Sequence, residues 1–102
     1  MRFLAVVVMA LLAVPAAFGQ DEHGKLCDQV DSLAQTIMER RQNGMPARDM
    51  YDAMGADGND IAAQMIDEAY DKPRYQTDDM KEQTVQEFRN RWFQICRRQM
   101  SG

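Results

Sequence analysis

Residues 25–43 read KLCDQVDSLAQTIMERRQN, and the reading of this stretch decides the fold. Leu26, Cys27, Val30, Leu33, Ala34, Ile37 and Met38 recur at steps of three and four, while Asp28, Asp31, Gln35 and Glu39 fill the other side. That spacing predicts an amphipathic helix with one buried stripe. The helix should stop where Asn43 meets Gly44, because glycine takes the left-handed conformation that closes a helix and Pro46 cannot continue the hydrogen-bond ladder. Arg40 and Arg41 in the last turn suit the negative end of the helix dipole.

Cys27 lies in the first turn of this helix, and the only other cysteine, Cys96, lies near the far end of the chain. An even cysteine count on an exported chain is most simply explained by a disulfide. Cys27 and Cys96 meet naturally if the first and last helices pack antiparallel. A closed loop of roughly 70 residues is worth on the order of 4 kcal/mol in lost chain entropy, an upper figure because native strain and residual structure subtract from it. The competing reading is a redox or metal-binding thiol pair. Such pairs are usually closely spaced, as in C-x-x-C, and the single histidine, His23, stands on the N-terminal stub.

The N-terminal residues have a different grammar. Arg2 is followed by an apolar run from Phe3 to Val14 and by small residues through Ala17, the three-part layout of a secretory signal peptide over 1–19. Cleavage is expected after Gly19, with Ala17 as second choice. An uncleaved anchor is disfavoured because the run is shorter than the ~20 residues needed to span a bilayer. The remaining single domain, 20–102, carries 11 basic against 16 acidic residues. That balance favours solubility and argues against general nucleic-acid binding, which needs a basic face. So small a domain has little apolar surface to bury, and a covalent staple then matters.

Further helices follow in order. Met50, Tyr51 and Met54 give a short helix over Ala47 to Met54, and Gly55 to Asn59 reads as a break. Asn59 or Asp60 caps a third helix whose stripe is Ile61, Ala62, Met65, Ile66, Ala69 and Tyr70, ending before Pro73. Thr77 caps a long last helix with Met80, Val85, Phe88, Trp92, Ile95 and Cys96 on its apolar side. The expected class is all-α, a small four-helix domain with the first and last helices antiparallel and joined by one disulfide.

The inventory for chemistry is thin. No serine, histidine and carboxylate set is spaced as a triad, and no glycine loop is built to cradle phosphate, so no catalytic residue, cofactor or metal ligand is assigned. Asp57, Asn59 and Glu68 match three positions of a calcium loop, but Ile61 and Ala62 stand where an oxygen ligand and a glycine are required. Seven acidic residues and no basic one lie from Asp49 to Asp71, a segment read first as a solvated face paired in part with the C-terminal arginines. Seven methionines remain after residue 19. Met38, Met50, Met54, Met65 and Met80 fall on apolar stripes and would fill an irregular core. Their number, with Phe88, Trp92 and Phe93, also offers an adaptable contact surface, for which Met50, Met54, Trp92 and Phe93 are the candidates.

Cys27, Leu33-Ala34, Arg40-Arg41-Gln42-Asn43-Gly44, Ala69-Tyr70 with Pro73, and Phe88 with Cys96 together resemble a loose set of small exported two-cysteine helical proteins of Gram-negative bacteria. The resemblance implies a signal peptide and a periplasmic location, and it carries no activity. Size and a single disulfide are also similar to those of periplasmic acid-stress chaperones, whose local sequence pattern is absent here. The absent catalytic set and the surplus of Met, Trp and Phe lead to the expected function of a non-enzymatic, exported module that binds a protein or peptide, chaperone-like or otherwise. The alternative is a small-molecule or metal-ion binder using the acidic segment 49–71 or the methionines.

Overall fold

The computed structural model describes residues 24–101, so the signal-peptide reading and its cleavage sites, which fall within 1–23, lie outside the described residues. Helix α1 covers 24–42, α2 Ala47–Met54, α3 Asp60–Asp71 and α4 Asp78–Ser101, with one 3-10 turn at Ala56–Gly58. No strand occurs among the described residues, and no helix there is long and apolar enough to cross a membrane.

The start of α1 lies against the end of α4, where Cys27 and Cys96 form a disulfide with their Cα atoms 5.5 Å apart. One turn further along α1, Asp31 receives two hydrogen bonds of 2.9 Å from the Arg89 guanidinium. Pairings of 27 with 96 and 31 with 89 require antiparallel helices. Helix α3 runs the same way as α1, since the Arg41 guanidinium stacks over the Tyr70 ring at 4.7 Å. It is therefore antiparallel to α4, and Glu68 pairs with Arg91 across that contact. Helix α2 and the 3-10 turn carry the chain back between α1 and α3.

The caps follow the sequence. Past α1, Met45 N–H bonds to Arg40 O at 3.0 Å and Gly44 N–H to Arg41 O at 3.1 Å, the paired bonds of a Schellman closure. Gly44 has φ +97°, a backbone conformation that favours glycine, and a Cβ there would stand 3.2 Å from the Arg74 guanidinium, which would have to move slightly aside. Asn59 Oδ1 accepts from Ile61 N–H and Ala62 N–H at 3.1 Å each, and Thr77 Oγ1 accepts from Met80 N–H at 3.2 Å.

Ala34, Ile37, Met38, Met50, Ala56, Ala62, Met65, Ile66, Ala69, Val85, Phe88 and Trp92 make one contiguous core. Three expected stripe positions leave it: Leu26 is 41% exposed, Ile61 53% and Met80 39%. Each lies in the first turn of its helix, where the chain overhangs its neighbours and no opposing side chain covers the stripe.

A polar side chain shares the interior. Gln42, in the last turn of α1, is fully buried. Its Nε2 donates to Pro73 O at 2.8 Å and its Oε1 accepts from Tyr75 N–H at 2.8 Å, while its own carbonyl accepts from Arg74 Nε at 3.2 Å. Arg41 adds a 2.9 Å bond to Lys72 O. The connector 72–75 has no helix of its own to satisfy its backbone, and α1 supplies the missing partners. Replacing Gln42 by alanine removes the partners of two part-buried backbone groups, Pro73 O and Tyr75 N–H, for which a loss of about 1–3 kcal/mol is expected. Urea unfolding of the oxidised Gln42→Ala protein measures this, and a loss below ~0.5 kcal/mol would mean that the connector is held by something else.

Candidate functional site

Two poles of the bundle differ in chemistry. At the pole where α1 ends, Arg41, Gln42, Gly44, Tyr70, Pro73, Arg74 and Tyr75 are committed to one another. The Tyr70 hydroxyl donates to Met45 O, and burial raises its pKa above the ordinary 10.0, with the nearby Arg41 charge opposing. These contacts fold a loop and leave little free to bind.

The opposite pole is apolar. The first turns of α1, the first turn of α3 and the last turns of α4 converge there on a groove of about 370 Å³. Its walls are Leu26, Val30, Ile61, Trp92, Ile95 and Met100, together with Cys96 and the amides of Gln64 and Gln99. Among the described residues four large apolar side chains stand exposed, and three of them, Leu26, Ile61 and Met100, line this groove. Converging exposed apolar side chains mark contact surfaces, whereas single scattered ones are ordinary. No charged side chain lines the groove among the described residues. Trp92 forms part of its wall, packs edge-on against Phe88 at 6.4 Å between ring centroids, and has its indole N–H buried with no acceptor among the described residues.

No family model, curated protein or solved structure matches this chain. The site is therefore read from its own side chains.

The contact surface expected from sequence needs correction. Met50 is fully enclosed, because α2 folds back over α1 and α3 and puts this residue at their junction. Trp92 is only 8% exposed, since Phe88 and the α3 stripe cover its ring. Met54 and Phe93 are half-buried, and Phe93 lines a shallow polar recess with Asp31, Gln86, Arg89 and Asn90, away from the apolar groove. The four candidates thus do not form one surface. The residues that do, Leu26, Ile61 and Met100, sit at helix ends. Their common position was implicit in the antiparallel pairing of Cys27 with Cys96, which brings the start of α1 and the end of α4 to one pole.

The acidic segment makes no cluster either. Among the described residues no three histidine, cysteine or carboxylate side chains converge as ligands. The Tyr51 hydroxyl donates to Asp67, and Glu68 binds Arg91, whose pKa is raised first by that hydrogen bond. Asp31 raises that of Arg89 in the same way. Asn59 is occupied as a helix cap and Glu68 as an ion pair, so the calcium-loop match is used structurally. Met38, Met50 and Met65 keep their thioethers inside the core.

Burial of the single tryptophan yields a direct check. Trp92 fluorescence should be shielded from iodide, with quenching several-fold weaker in the folded protein than in ~6 M urea. Equal quenching in both states would place the indole in solvent and break the core described above.

Proposed function

We propose that the protein is an exported, non-enzymatic binding module that takes an apolar peptide segment of another protein into the groove between the starts of α1 and α3 and the end of α4. The observation that carries this reading is the convergence of Leu26, Ile61 and Met100 around an uncharged groove. A metal ion or a phosphate would find no charge there to replace its water, and an acidic chain gives nucleic acid little purchase. Apolar side chains would be desolvated at no polar cost. An amphipathic helix, whose backbone hydrogen bonds are internal, can lay an apolar stripe into such a groove, with the amides of Gln64 and Gln99 among its polar lining. The chain-spanning disulfide is consistent with an exported protein, because such bonds persist in oxidising compartments. The resemblance to small two-cysteine exported proteins supports a periplasmic location for the module, with the extracellular space as the second choice.

A dye-labelled 12-residue peptide carrying leucines four residues apart is a suitable probe, with a serine-substituted peptide as control. Fluorescence anisotropy should show micromolar binding of the leucine peptide, weakened at least about tenfold by Ile61→Asp. That side chain is exposed, so the variant's stability should stay within about 0.5 kcal/mol of the parent. Absence of binding, or binding indifferent to Ile61→Asp, would overturn the proposal. So would concentration-dependent dimerisation abolished by Ile61→Asp, because a second copy would then be the occupant.

A further inference from the structure

We propose that the Cys27–Cys96 disulfide is a latch for this groove, so that reduction opens the first half of α1 and removes the binding surface while the core stays folded. The inference rests on the peptide-binding reading only for what the groove is for; the latch itself follows from how α1 is held. The helix has two unequal halves. From Ala34 onward Ala34, Ile37, Met38 and Gln42 are buried against the other helices, and the clamp on 72–75 fixes the far end. Between 24 and 33 only Cys27 is buried. Apart from its disulfide, this half is held by Val30 and Leu33, which are only partly buried against the core, and by the ion pair of Asp31 with Arg89. Partly exposed pairs of that kind contribute little. Leu26 and Val30, two walls of the groove, belong to this weakly held half.

The exchange chemistry is also asymmetric. Cys96 lines the groove and is 8% exposed, against 1% for Cys27. On this proposal a dithiol reductant entering from the groove attacks the Cys96 sulfur, forming a mixed disulfide and expelling the Cys27 thiolate, which takes up a proton. The second thiol of the reductant then closes its own disulfide and releases Cys96 as a thiol. Two electrons pass from the dithiol to the protein, and both cysteines end reduced. Without the bond, residues 24–33 keep only the partial burial of Val30 and Leu33 and one partly exposed ion pair, and a helix end held so lightly frays.

Hydrogen exchange measured by mass spectrometry, with and without dithiothreitol and in the Cys27→Ser/Cys96→Ser double variant, tests this without any ligand. Amides of 24–33 should exchange at least ~10-fold faster on reduction, with those of 62–69 and 84–92 still protected. Unchanged protection of 24–33, or simultaneous loss of protection throughout, would overturn the latch. Anisotropy with the leucine peptide separates the two proposals. Local opening with no peptide bound to either form leaves the latch standing and removes the peptide reading. Equal binding to oxidised and reduced protein overturns the latch alone.

Discussion

A covalent bond between residues 69 positions apart in sequence sets the geometry of this domain. Once Cys27 is joined to Cys96, the start of α1 must lie beside the end of α4, and with Asp31 paired to Arg89 the two helices can only run antiparallel. The short return through α2 then makes α3 parallel to α1, and the core closes between them. The bond also shrinks the unfolded ensemble and so adds to the stability of a small domain, beside a contiguous core that neither cysteine belongs to.

The other end of α1 is fixed by chemistry of a different kind. A buried glutamine is costly unless its amide is fully used, and Gln42 uses both ends on the backbone of 73–75. Arg41 and Gly44 complete the same arrangement, one by reaching Lys72 and stacking on Tyr70, the other by leaving room for Arg74. Covalent pinning at one pole and hydrogen-bonded pinning at the other leave the polar pole spent on structure. The apolar pole keeps uncovered side chains, which is why the binding proposal is placed there.

Much of the fold was legible in the sequence because it rests on periodicity and punctuation. The stripe from Cys27 to Met38, the stop at Asn43-Gly44, the helix Ala47–Met54 and the caps at Asn59 and Thr77 are all local signals, and the structure realises each. What was not legible depends on which helix covers which. Periodicity puts Ile61 and Met65 on the same face, but only tertiary packing shows that Met65 is enclosed and Ile61 overhangs. Gln42 carries no hydrophobic signal, and nothing local marks its role in holding a connector some thirty residues away. The candidate surface failed for the same reason: Met50 and Trp92 were chosen by residue type, whereas exposure is decided at helix ends.

The most direct test of the account is the thiol state of the protein purified without reductant. After denaturation in iodoacetamide, intact mass should show no alkylation, and prior reduction should add two carbamidomethyl groups, one at each cysteine. Two adducts on the unreduced protein would contradict the bridge, and with it the antiparallel frame and the latch built on it.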